Sequence, residues 1–332
     1  MEYRVKILDV GDADAIIIEY KEKTTSSWIT VLIDAGNVGD GDKIKEYLKK
    51  TNGKHVINYA FCTHPDKDHK GGFFELLDDE SVEIQNLCLM DPCDYIGIED
   101  FAKVKKQDNA RIKARACWNH PEDKSKNLID IAIKKGIFQN ISIDSYFNNI
   151  PITILGPSDD FYREIVLGMV SNFAEINDSP DTSFYDEIAK VSEEDAKSVI
   201  DKDDDDSYTN GSSLILLFEP SENRKFLLTG DASCSSLADA LFNTDKDFAN
   251  CILKVPHHGS EHNLNTELID FLSPSSAVIS AKGSRKHPNS GIVYWLSKYC
   301  NVYSTHKSGT LIYTSENTIH KAEPLKEKIT EE

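Results

Sequence analysis

A chain of 332 residues can bury one large core or two modest ones. Its net charge of −19 disfavours long-range attraction to nucleic acid by the surface as a whole. No apolar run approaches the roughly 18 residues of a membrane helix, and Met1-Glu2-Tyr3-Arg4 opens into strand-like sequence rather than a signal peptide. Seven cysteines, an odd number without paired spacing, suit free thiols, so a cytoplasmic location is expected. Cys88 and Cys93 are the closest pair, and a metal clip between them is disfavoured.

In chain order, strands are predicted at Val5–Leu8, Ala15–Tyr20, Thr30–Ile33, Val56–Cys62, Ile84–Met90, Ile152–Leu155, Ser213–Phe218, Lys225–Leu228, Cys251–Val255, Ala277–Ile279, Asn301–Ser304 and Thr310–Tyr313. Helices are predicted at Gly41–Lys50, Gly72–Leu77, Leu128–Lys135, Ser235–Phe242, Asn265–Phe271 and Ser290–Tyr299. Hairpins early, then strand–helix alternation, predict an α/β (α+β) fold with two β-sheets sandwiched between helices. An acidic, Ser-rich segment at about 158–207, ending in Lys202-Asp203-Asp204-Asp205-Asp206, reads as an insertion or lid with a solvated loop. Residues 1–320 are expected to form one domain, and the charged tail 321–332 to fray.

The chemistry concentrates where strands end. The predicted strand at 56–62 runs into Thr63-His64-Pro65-Asp66-Lys67-Asp68-His69-Lys70-Gly71-Gly72, two imidazoles and two carboxylates within six positions. A divalent ion needs several N or O donors converging at roughly 2.0–2.2 Å, and histidine is scarce here, 10 of 332 residues. Three distant pieces have the same form. Phe226-Leu227-Leu228-Thr229-Gly230-Asp231 ends a strand in a carboxylate, Val255-Pro256-His257-His258-Gly259-Ser260 ends one in two histidines, and His287-Pro288 follows another. Singly each is weak, since Gly-Asp and His-Pro are common in turns. Together they suit a metal site at converging loops.

These motifs, with Leu8-Asp9-Val10-Gly11-Asp12-Ala13-Asp14-Ala15-Ile16, Leu32-Ile33-Asp34-Ala35-Gly36, Asn210-Gly211-Ser212-Ser213-Leu214 and Ser308-Gly309-Thr310, occur in the order found in a known family. The chain resembles the metallo-β-lactamase-fold hydrolases, and within them the soluble domain of ComEC-type competence proteins, over about residues 4 to 315. The resemblance implies a four-layer αββα sandwich holding two divalent ions, Zn2+ or Mn2+. It implies His64 and Asp66 as donors to one ion, Asp68, His69 and His258 as donors to the other, and Asp231 as the shared carboxylate. His257 is then free to face substrate or give a proton, and His287 to do the same or to hydrogen-bond a phosphoryl oxygen; Asp68, His257 and His287 are the candidate catalytic residues. Two features depart from the broader pattern. Asp66 stands where many relatives carry histidine, and no histidine precedes the 213–218 strand, where Tyr208, Thr209 and Asn210 stand instead. The first site is thus richer in oxygen, which tilts preference toward Mn2+ or other oxygen-tolerant ions.

The expected function is a metal-dependent hydrolase, first a phosphodiesterase or nuclease. The alternatives are a hydrolase of a small molecule (a phosphoester headgroup, lactone or β-lactam) and a regulatory module of the same fold with little catalysis. The acidic surface favours a small substrate. Lys103, Lys105, Lys106, Arg111, Lys113 and Arg115, six cations within thirteen residues, are either a solvated helix face or an arm for a polyanion. Lys282, Arg285 and Lys286 add positive charge near His287. His55, His120, His262, His306 and His320 match no motif.

Overall fold

The computed structural model describes residues 2–97, 110–147, 149–171, 191–284, 286–316 and 322–330. Lys103, Lys105, Lys106, Arg285 and His320 lie outside the described residues. The fold is mixed α/β. A seven-stranded sheet has the order 311–314, 3–7, 16–21, 28–33, 59–61, 87–89, 138–140, and a six-stranded sheet the order 152–156, 215–221, 224–228, 252–254, 276–279, 302–304. Each begins antiparallel and turns parallel: the change falls after Trp28–Ile33 in the first and after Arg224–Leu228 in the second. The parallel strands are short apolar runs such as Ala60-Phe61 and Ile252-Leu253, buried on both faces. Their carboxyl ends are where Asp34, His64, Asp231, His257 and His258 follow.

Three apolar clusters hold these layers. Tyr3, Ile18, Phe61, Phe218, Phe226 and Tyr313 belong to a cluster drawn from both sheets, with Tyr3 edge-on to Phe218 and to Phe226. The other face of the six-stranded sheet packs against the helices Glu193–Ile200, Cys234–Phe242, Thr266–Leu272 and Ser290–Ser297. The other face of the seven-stranded sheet packs against Gly41–Tyr47, Lys67–Asp78 and Leu128–Lys135. Burying one such leucine or phenylalanine contributes about 1.5–3 kcal/mol, so the clusters supply the main stabilisation. Helix starts follow local chemistry: the side chains of Asn127, Ser192, Ser233, Asn265 and Asn289 accept from backbone amides in the first turn.

Several boundaries differ from expectation. The predicted strand at 56–62 is two strands, Lys54–Ile57 in a small third sheet and Tyr59–Phe61 in the large one. Asn58 breaks it: its side chain accepts from Thr30 N at 2.8 Å, and its carbonyl accepts from Asn86 Nδ2 at 2.9 Å. The predicted strand at 84–90 divides likewise into Val82–Ile84 and Leu87–Leu89. The helix expected from Gly72 begins at Lys67, inside the motif. The described parts of the acidic segment, 158–171 and 191–207, pack onto the fold, and 172–190 lie outside the described residues. Helix Asp159–Ser171 buries Tyr162, Val166, Leu167 and Val170, and Asp204 accepts from Cys234 N and Ser235 N at the start of a helix. Nor does the tail simply fray: Val302 N bonds Lys326 O at 2.8 Å and Ile329 N bonds Ser297 O at 2.7 Å. No helix among the described residues is long and apolar enough to cross a membrane.

Candidate metal centre

The Lys67–Asp78 helix carries half of the motif into place. Asp66 is its N-cap but spends no side-chain bond on capping; its carboxylate instead has the Thr209 side chain as a hydrogen-bond neighbour. Asp68 and His69 lie in the first turn, a turn earlier than a loop reading allows. The glycine pair explains the seating. A Cβ on Gly71 would lie 2.3 Å from Val38 N, and one on Gly72 would lie 2.1 Å from Ala35 O. The helix is thereby pressed onto the Asp34–Gly36 turn, and Ala35 N donates to His69 O at 2.8 Å. Asp14 N donates to Asp68 O at 3.2 Å from the other side.

Each histidine of the centre is oriented through Nδ1. His69 Nδ1 donates to Asp34 Oδ2 at 2.8 Å. Asp34 also accepts from Thr63 N at 2.7 Å and Thr63 Oγ1 at 2.8 Å. With its proton committed to Asp34, the Thr63 hydroxyl accepts from His64 Nδ1 at 3.0 Å. His258 Nδ1 donates to Ser280 O at 2.8 Å. This pattern turns each Nε2 toward the centre, the nitrogen a metal-binding imidazole would present there.

The Nε2 atoms converge on Asp231. Its Oδ2 lies 3.2 Å from His69 Nε2, 3.8 Å from His258 Nε2 and 4.0 Å from both His64 Nε2 and His257 Nε2. Asp68 Oδ2 lies 3.2 Å from His258 Nε2 and 3.8 Å from His69 Nε2. One donor atom from each of Asp68, His69, Asp231 and His258 lies within 4.8 Å of the others. His64 and Asp66 form a looser arm, with Asp66 Oδ2 3.8 Å from His64 Nε2. His64 Nε2, His69 Nε2 and Asp231 Oδ1 are buried with no hydrogen-bond partner. Three bare, buried donors facing one space are costly in an apolar setting and suit a cation.

Charge around the centre is strongly coupled. Burial holds His64 well below the usual histidine range, with nearby His69 adding to the effect. For His69, burial pulls downward but Asp231, Asp34 and Asp68 prevail and raise it. Burial opposes ionisation of Asp231, yet His69, His258 and His257 hold it well below the usual carboxylate range. Burial and the neighbouring Asp68 push Asp66 up to about 6. His257 is raised to about 9: burial works against the charge, but Asp231 and Asp205 outweigh it. His287 is lowered to about 2 by burial and by the neighbouring His257 and His258. Its ring lies 5.4 Å from that of His257, and its buried Nδ1 has no partner.

Several residues of this region were given no role by sequence alone. Asp34 and Thr63 orient two of the histidines. Asp205 Oδ2 lies 3.2 Å from His257 Nδ1 and accepts from Asn210 Nδ2 and Asn263 Nδ2, each at 2.7 Å. Lys254, fully buried, pairs with the carboxylate of buried Asp14. Asp14, Asp34 and His69 also form a close triplet. Its carboxylates already face Lys254, Thr63 and His69, so that triplet is scaffolding. The signal for Asp34 was its place just after a buried strand. For Asp205 there was none beyond a run of four aspartates, Asp203 to Asp206.

The basic stretch is only partly described. Arg115 donates to Asp91 and, at 3.2 Å, to Asp130, so it braces its helix rather than facing a substrate. Arg111 and Lys113 stand on the same Ala110–Ala116 helix.

No family model matches the chain. It is similar to ComE operon protein 3 of Bacillus subtilis (strain 168), 30% identical over 118 residues. The match covers 35% of this chain and 15% of that protein, so most of the relative's length has no counterpart in it.

Proposed function

We propose that the chain is a metal-dependent hydrolase of phosphodiesters, built as a four-layer αββα metallo-β-lactamase sandwich. The observation that carries this reading is the convergence of Asp68, His69, Asp231 and His258, with the bare Nε2 atoms of His64 and His69 beside it. Supporting the fold are the two sheets with a shared core and helices on their outer faces. Pairing of the first strand with the last, Val5 opposite Tyr313, supports a single domain. The similarity to the competence protein points the same way.

In this reading Asp68, His69 and His258 would hold one divalent ion and His64 and Asp66 a second, with Asp231 within reach of either group. Zn2+ or Mn2+ so bound supplies Lewis acidity, lowering the pKa of water and neutralising a phosphoryl oxygen. The chain's own contribution is orientation: Asp34, Thr63 and Ser280 O keep three imidazoles aimed. His287 stands beside the centre, with burial and the neighbouring His257 and His258 favouring its neutral form, and is placed to hydrogen-bond a phosphoryl or leaving oxygen.

Within this class a small phosphodiester fits better than long DNA or RNA. The net charge of −19 repels a polyanion, and Arg115 is occupied by Asp91 and Asp130. A panel of bis-p-nitrophenyl phosphate, cyclic nucleotides, single- and double-stranded DNA, and RNA tests both levels. The reading expects metal-dependent cleavage of the small diesters, faster than of the polymers. Polymer cleavage that weakens when Lys105, Lys106, Arg111 and Lys113 are changed together to glutamine would restore the nuclease. No hydrolysis with Mn2+, Zn2+ or Mg2+ would leave the non-catalytic module.

A further inference from the structure

We propose that His257 is a further metal donor of the centre, presented through Nε2, and that Asp205 is the positioning residue that holds it. This rests on the metal-centre reading above and adds to its donor set. The first observation is a shared construction. His64, His69 and His258 each anchor Nδ1 on a protein acceptor and turn Nε2 toward Asp231. His257 does the same: Nδ1 meets Asp205 Oδ2 at 3.2 Å and Asn263 Oδ1 at 3.0 Å. Its Nε2 stands 4.0 Å from Asp231 Oδ2, the distance found for His64 Nε2. A histidine needed only to touch substrate has no reason to share the carboxylate on which the other three converge.

The support for His257 is itself built. Asp205 is held by Ser207 N at 2.9 Å as well as by the two asparagine amides. Asn263 uses the same amide to reach Asp231 O at 3.0 Å, tying the outer acceptor of His257 to the central carboxylate. A carboxylate behind an imidazole raises its basicity and fixes its tautomer, the usual arrangement behind a metal-binding histidine. Backbone strain points to the same segment. His257 and His258 take φ of 43° and 54° in succession. Side-chain-bearing residues adopt that region at a cost, which persists where the surroundings fix it.

The placement also accounts for a gap in the sequence. No histidine precedes the Ile215–Ser221 strand, and Asn210 of that segment lies 3.3 Å from His257 Nδ1. His257 thus reaches from the opposite loop into the region that lacks an imidazole, supplying nitrogen to the oxygen-rich His64 and Asp66 arm.

The test is calorimetric titration of Zn2+, and separately Mn2+, into the metal-free full chain. His257→Gln is expected to weaken at least one ion by a hundredfold or more, and Asp205→Asn by about tenfold. His262→Gln, a change at the half-buried neighbouring histidine whose ring pairs with Glu261, leaves binding unaltered. Denaturant unfolding of each metal-free variant checks the fold, and Asp205→Asn carries the test if His257→Gln does not fold. Unchanged affinities in both variants, with the parent binding normally, overturn this assignment and leave the metal centre intact. A parent that takes up neither ion removes both.

Discussion

Asp34 is the residue whose replacement separates orientation from ligation. Its carboxylate is fully buried and receives three donors, Thr63 N, Thr63 Oγ1 and His69 Nδ1. Asp34→Asn keeps the shape and suits the φ of 57°. The amide then has one acceptor where three donors converge. If its oxygen faces Thr63 Oγ1 and His69, the amide nitrogen opposes Thr63 N–H, and a buried donor is stranded at about 1–3 kcal/mol. If its nitrogen faces them instead, His69 must take the other tautomer and present Nε2–H to the centre. Either way the metal-binding form of His69 loses support, and affinity for Zn2+ or Mn2+ should fall about 10–100-fold. Asp34→Ala should be worse. A water in the vacated volume accepts from two donors at most, which strands a third at about 1–3 kcal/mol. Alanine in the left-handed region adds about 1–2 kcal/mol, for a total of about 2–5 kcal/mol of lost stability. Chelator competition gives the affinity, urea unfolding of the metal-free protein gives the stability, and nitrogen NMR of His69 reports the tautomer. Parental affinity in Asp34→Asn would refute the claim that Asp34 aims His69 at a metal.

Asp68→Ala should abolish phosphodiester hydrolysis while changing the stability of the metal-free protein by less than about 1 kcal/mol, since the partners of its carboxylate are His69 and His258 of the centre rather than the core; near-parental turnover would remove Asp68 from the ligand set. Asp66→His exchanges a hard oxygen donor for an imidazole, so the ratio of Zn2+- to Mn2+-supported rates should rise; an unchanged ratio places Asp66 outside the centre. The thiols supply a pH test, because burial pushes Cys93 up to about 11 and Cys88, Cys251 and Cys300 up to about 12. A disulfide reagent at pH 8 should label none of these four quickly in the native protein and all of them after unfolding. The protonated thiol is the folded-state form, so this contribution is complete below the unfolded value of about 8.5 and fades as pH rises through it toward the folded values. Unfolding midpoints that do not fall between pH 7 and 10 would contradict that sign.

What the sequence made legible follows from how each feature is encoded. The donors were visible because they cluster at strand ends, and both sheets end their parallel strands at the centre. Leu128–Lys135 was legible to the residue, with Asn127 capping one end and Gly136 in the left-handed conformation at the other. Lys67–Asp78 was misread at its start because Asp68 and His69 look like loop donors. Only contact with the Asp34–Gly36 turn shows that they begin a helix. Asp205 was invisible for a different reason: Asp203 to Asp206 are interchangeable on paper, and only the fold decides which of them meets His257. The break at Asn58 was likewise set by a partner far along the chain, Thr30.

The most direct test of the metal centre is elemental analysis of the purified full chain after moderate dialysis, followed by uptake of Mn2+ or Zn2+ into the stripped protein. The donor set predicts two divalent ions per chain, or one tight and one exchangeable, both lost in Asp231→Ala. No metal above trace and no uptake of either ion would contradict the account at its root, leaving the buried and unpartnered His64 Nε2 and Asp231 Oδ1 without the cation proposed for them.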